Sequence, residues 1–117
     1  MNFILMKPLA LLSTFSIGVM ATPIVSYAGY YYDSCTRPSI TATNIAAGYC
    51  ANVENIPIKS LSAYVFSGAC ENGKSPVLNA YTEANCESGL FETLSVDSEK
   101  LCFEADTTIV SLGVECV

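Results

Sequence analysis

Ile58-Lys59-Ser60-Leu61-Ser62-Ala63-Tyr64-Val65-Phe66 alternates with the period of a β-strand, with Leu61, Ala63 and Val65 on one face and Ser62, Tyr64 and Phe66 on the other. Outward from it, Val77 to Tyr81 and Leu90 to Val96 are again rich in β-branched and aromatic residues. Ile109 to Val117 ends the chain with Val110, Leu112, Val114 and Cys116 on one face. Turn chemistry separates these runs. Asn72-Gly73 suits a tight turn with positive φ, Ser88-Gly89 is a second break, and Pro57 and Pro76 stand where a strand tolerates a missing N–H. The one segment that could turn helical, Ile45 to Val53, is interrupted by Gly48. Short strands at near-regular spacing predict an all-β fold, a small antiparallel β-sandwich.

An internal echo accompanies the strands. Ile58-Lys59-Ser60-Leu61-Ser62 and Ile109-Val110-Ser111-Leu112-Gly113 share isoleucine, serine-leucine and a small residue in register, 51 positions apart. Two strands of like role in two structural halves would produce this, and so would chance in β-prone sequence.

The chain has 117 residues, which predicts one domain. Hydrophobic residues make up 51% and charged residues 14%, a balance that favours packing over disorder. Eleven acidic residues against five basic ones give a net charge of −6, so nucleic acid and anionic membranes are poor partners. There is no His, which removes Ser-His-Asp and Cys-His nucleophiles and every His-containing zinc site.

Residues Leu9 to Ala21 form an apolar run behind Lys7, too short for a membrane-spanning helix and followed by Pro23. This reads as a secretory signal. Ser26 and Ala28 flank Tyr27 as small residues at −3 and −1, so the expected cut lies between Ala28 and Gly29, with Val19 and Ala21 marking a second choice. The expected organisation is therefore a signal peptide at 1–28 and a secreted, cysteine-rich β domain at 29–117, with a net charge of −7 once Lys7 is gone.

Cys35, Cys50, Cys70, Cys86, Cys102 and Cys116 all lie beyond that cut, and none forms a C-x-x-C pair. An even count in a short exported chain predicts three disulfides rather than a zinc knuckle or a redox site, with 15 pairings open. Closing loops of ~15 residues would contribute ~3 kcal/mol each, enough to decide whether so small a core folds.

Ser60 to Val65, then Cys70, then Tyr81-Thr82-Glu83-Ala84-Asn85-Cys86 running to Gly89, a further Cys102 and the closing Ser111-Leu112-Gly113-Val114-Glu115-Cys116 form a larger pattern. The stretch from Ile58 to Cys116 resembles the small secreted cysteine-rich proteins of fungi related to the βγ-crystallin and killer-toxin-like fold. It departs from the crystallin signature of aromatic, four residues, aromatic, one residue and glycine, because Tyr81 is followed at that distance by Cys86, then Glu87 and Ser88. The acidic or amide pair followed by paired hydroxyls, with which many of those proteins bind calcium, has no clean copy here. The resemblance implies a βγ-crystallin-like sandwich and an effector-like or toxin-like protein; it implies no cofactor.

Glu83, Glu87, Glu92, Asp97, Glu99, Glu104 and Asp106 crowd the C-terminal half and read as a solvated acidic surface rather than a glycosidase pair, which needs a deep cleft. There is no Trp to stack a sugar. Basic residues are too few and scattered for a ribonuclease. No catalytic or metal site is expected. Tyr30, Tyr31 and Tyr32 read first as an edge strand folded onto the sheet and tied down at Cys35, and second as a binding surface. The expected function is non-catalytic binding of an extracellular protein or cell-surface component. The alternative is a protease inhibitor presenting Glu71-Asn72-Gly73-Lys74-Ser75, with Lys74 as the residue read by a trypsin-like pocket.

Overall fold

The computed structural model describes residues 21–117. It contains eight strands: β1 (Ile24–Tyr30), β2 (Thr41–Ala46), β3 (Cys50–Asn52), β4 (Pro57–Ser67), β5 (Pro76–Tyr81), β6 (Leu90–Ser95), β7 (Leu101–Thr108) and β8 (Ser111–Cys116). They form two antiparallel four-stranded sheets, ordered β2-β1-β4-β7 and β3-β8-β5-β6. The all-β sandwich expected from the alternation is the observed fold. No α-helix forms among the described residues, and Ile45 to Val53 divides between β2, a turn at Gly48 and β3.

The echo at 51 residues is a repeat of structural role. Adding 51 carries the β1/β4 register onto the β5/β8 register: Ala28 faces Ser62 as Asn79 faces Gly113, and Tyr30 faces Ser60 as Tyr81 faces Ser111. The third strand of each half crosses over. β3 pairs with β8 and β7 with β4, so each sheet is completed by a strand from the other half.

One connection in each half folds back into a single 3₁₀ turn, Asp33–Cys35 after β1 and Ala84–Cys86 after β5. Both contain consecutive left-handed residues, Ser34 (φ 59°) with Cys35 (φ 51°) and Asn85 (φ 72°) with Cys86 (φ 53°). L-residues adopt that region at a cost of ~1–2 kcal/mol each, so something must hold them there. A buried serine does so in each half. Cys35 N–H donates to Ser60 Oγ at 2.8 Å, and Ser60 Oγ donates to the Tyr32 carbonyl at 2.6 Å. Cys86 N–H donates to Ser111 Oγ at 3.0 Å, and Ser111 Oγ donates to the Glu83 carbonyl at 2.6 Å.

The exchanged strands complete the clamp. Cys102 of β7 bonds to Cys35, and two residues on Glu104 Oε2 accepts the Ser34 N–H at 3.0 Å. Cys50 of β3 bonds to Cys86, and two residues on Asn52 Oδ1 accepts the Asn85 N–H at 2.9 Å. The third disulfide, Cys70 to Cys116, ties the connection between the halves to the end of β8. The three bridges span 67, 36 and 46 residues. These are much longer than the expected ~15-residue loops, and chain entropy assigns each about 4 kcal/mol in isolation.

Between the sheets lie Val25, Tyr27, Ile45, Ile58, Leu61 and Ala63 from one side and Leu78, Ala80, Leu94, Leu112 and Val114 from the other, all buried. The core reaches back past the expected boundary at Gly29. β1 is an inner strand, flanked by β2 and β4, and a chain beginning at Gly29 would lack both Val25 and Tyr27. The folded unit reaches back to Ala21, whose carbonyl accepts the Ala69 N–H at 3.0 Å. A cut at the second position, after Ala21, leaves every strand whole. The apolar run ahead of it, through residue 20, lies outside the described residues.

Among the described residues, Tyr27 carries the one buried side-chain polar atom without a partner. Its hydroxyl finds no hydrogen-bond partner among the described residues, and burial pushes its pKa from 10.0 up to about 12. The ring reaches over Gly29, where an added Cβ would stand 2.7 Å from the Tyr27 oxygen and 2.8 Å from Thr41 Cγ2, so β1 requires glycine at that position.

Two outcomes are expected. Ser60→Ala and Ser111→Ala should each lower unfolding free energy by about 1–3 kcal/mol in urea titrations, since each leaves an amide and a carbonyl without their shared partner. Tyr27→Phe should leave stability equal or higher at neutral pH. The folded chain holds the Tyr27 proton more tightly than the unfolded one, so stability is full below pH 10 and falls by about 2–3 kcal/mol as pH rises to 12. That alkaline loss should be smaller in the phenylalanine variant by the same amount.

Candidate functional site

The back-folded turn after β1 brings the tyrosine cluster together and divides its members. Tyr30 ends β1 at 8% exposure, with its hydroxyl 3.2 Å from Ser62 Oγ. It belongs to an inner strand, so neither the edge-strand reading nor a surface role holds for it. Tyr31 and Tyr32 stand outside at 55% and 50% exposure. Their rings meet edge to face, 6.4 Å apart and 79° inclined. Beyond the turn Arg37, itself left-handed at φ 65°, lays its guanidinium 4.6 Å from the centre of the Tyr32 ring. Sequence reasoning missed Arg37 because four residues of chain separate it from Tyr32, and only the reversal at Ser34 and Cys35 closes that gap.

Two aromatic rings and a guanidinium form the composition that dominates binding energy at protein interfaces. Their backbone is held by Ser60, by Glu104 and by the Cys35 bridge, so less conformational freedom remains to be lost on contact. The matched turn after β5 carries Thr82 and Glu83 where the first carries Tyr31 and Tyr32, and Ser88 where the first carries Arg37. There Ser88 Oγ donates to Glu83 Oε1 at 3.0 Å. The aromatic and cationic surface belongs to one half only.

Lys74 sits apart from this surface. Its N–H donates to the Glu71 carbonyl at 3.1 Å, closing a turn in which Asn72 (φ 59°) and Gly73 (φ 73°) are both left-handed. The neighbouring Ser75 and Val117 exchange two backbone bonds of 2.8 Å, and Cys70 and Cys116 lock the base. The turn expected from Asn72-Gly73 is present and braced at its base. A protease reads residues ahead of the scissile bond as an extended strand, and these two are curled the opposite way. Lys74 is therefore exposed in a geometry unsuited to a trypsin-like pocket.

The seven carboxylates from Glu83 to Asp106 are all exposed. Glu104 and Glu83 serve the two turns, Asp97 Oδ1 accepts the Glu99 N–H at 2.8 Å, and Asp106 pairs with Lys59 at 3.1 Å, a surface ion pair worth little. Among the described residues no group of three or more Cys, Asp or Glu side chains is placed to hold a metal ion, and no helix is long and apolar enough to cross a membrane. Cys35, Cys50, Cys70, Cys86, Cys102 and Cys116 are all consumed in disulfides.

Lys74→Ala and wild type should be alike in leaving trypsin active at equimolar and tenfold excess. Stoichiometric inhibition by the wild type that is absent in the variant would restore the inhibitor reading. No protein-family model, curated protein or solved structure matches the chain.

Proposed function

We propose that this chain is a secreted, disulfide-locked binding protein that acts outside the producing cell, in an effector-like or toxin-like manner and without catalytic activity. The observation that carries the reading is the exposed trio of Tyr31, Tyr32 and Arg37 on a turn fixed by a serine, a carboxylate and a disulfide. Three disulfides in so short a chain are the mark of extracellular proteins. We relate it to the small cysteine-rich proteins of the βγ-crystallin and killer-toxin-like fold on the pattern from Ile58 to Cys116. Export rests on the apolar run before Ala21, with removal after that residue. The partner is an extracellular protein or a cell-surface component; the net negative charge disfavours nucleic acid and anionic membrane.

The inhibitor reading has no observation in its favour beyond the exposure of Lys74. N-terminal sequencing of secreted material should begin at Thr22, and a start at Gly29 would mean that the exported chain lacks most of β1. Immobilised oxidised protein should capture a partner from the extracellular fluid it meets, and a Tyr31→Ala, Tyr32→Ala, Arg37→Ala triple variant of unchanged melting temperature should lose that partner by at least tenfold. Equal capture by both proteins would move the binding surface elsewhere.

A further inference from the structure

The 51-residue repeat supplies an internal control for the outer faces of the two sheets, and at one matched place they differ in kind. On the first sheet Ala28 faces Ser62, whose hydroxyl meets that of Tyr30 at 3.2 Å, and the next outward residue on β4, Tyr64, lies 5.9 Å beneath Lys100 Nζ. The place is filled. On the second sheet the same positions hold Asn79, Gly113, Tyr81 and Glu115. Gly113 has no hydroxyl for Tyr81, Glu115 has no ring, and a cavity of about 230 Å³ opens there, lined also by Tyr49 and the Cys50–Cys86 bridge.

The side chains that replace the filling are polar and fixed. Asn79 is 6% exposed, and its Oδ1 accepts from Thr93 Oγ1 at 2.7 Å, which sets the amide plane and leaves Nδ2 as a donor without a partner among the described residues. Glu115, exposed at the rim, adds an acceptor. Tyr49, 72% exposed, and Tyr81 also border it. That donor is open to solvent and free to meet a ligand. In this place the first half has alanine and no donor.

We propose that this cavity binds one neutral sugar ring, the terminal residue of a glycan. Its volume lies below the ~300 Å³ of pockets for drug-sized ligands and suits a single pyranose. Adjacent hydroxyls of a sugar accept from an amide and donate to a carboxylate at once, while the C–H face of the ring lies against tyrosine. A cation would engage Glu115 and the rings and leave the Asn79 N–H unpaired. An anion would meet Glu115 and the negative charge of the whole chain.

The test is saturation-transfer NMR on the oxidised protein with methyl glycosides of glucose, galactose, mannose, xylose and N-acetylglucosamine, and with tetramethylammonium as the cationic probe. At least one glycoside should receive saturation, and its affinity should fall at least tenfold in Gly113→Ser, which installs the residue that fills the matched place. Gly113 has no positive φ, and a Cβ there meets Cys86 Sγ at 3.6 Å and the Tyr49 carbonyl at 3.8 Å, ordinary contacts that leave the fold intact. Asn79→Ala and Glu115→Gln should each weaken binding as well, and they decide the matter if the serine variant fails to fold. Binding should be unchanged in the Tyr31, Tyr32 and Arg37 variant, so this site and the turn surface stand or fall separately. No glycoside binding at tens of millimolar, equal binding by folded Gly113→Ser, or binding of tetramethylammonium alone would overturn the proposal.

Discussion

Two serine hydroxyls hold this fold in its shape. Ser60 and Ser111 each sit fully buried beneath a turn that runs through consecutive left-handed residues, and each hydroxyl accepts one amide and donates to one carbonyl of that turn. Removing either would leave the strained backbone held only by its disulfide and by Glu104 or Asn52. Everything beyond the turn follows from that bond. The disulfide at Cys35 or Cys86 is placed by it, and so is the amide that Glu104 or Asn52 receives. On the first half it also brings Arg37 back over Tyr32.

The strands were legible because burial selects side chains two by two. Leu61 and Ala63 face the core exactly where the alternation puts them, Asn72-Gly73 forms its turn, and Pro57 and Pro76 each open a strand. β1 was hidden by the same rule. Ser26 and Ala28 are small because they lie on the outer side of a strand whose inner side carries Val25 and Tyr27, and small residues at every second position are also what a signal peptidase reads. Two unrelated demands of period two wrote the same text.

Disulfide pairing was beyond the sequence for a different reason. Cys35 joins Cys102 and Cys50 joins Cys86 because β7 and β3 have changed places between halves, and no local spacing records an exchange. The candidate surface was half visible. Three tyrosines in a row mark it, but only the reversal of the chain decides that Tyr30 goes in and Tyr31 and Tyr32 stay out, and that Arg37 joins them. The cavity around Asn79 left no motif at all, since its residues come from four separate segments.

The crossed third strands have a consequence for how such a chain can arise. A single half cannot close its own sheet; standing alone it would be complete only as a two-fold dimer in which each copy lends a strand to the other, with the two matched disulfides joining different molecules. Fusion of two such copies converts that assembly into one that forms at any dilution. The bridge without a counterpart, Cys70 to Cys116, begins in the segment that joins the copies and ends beside the C-terminus. In such a fusion it would be the one crosslink that neither half has in matched form.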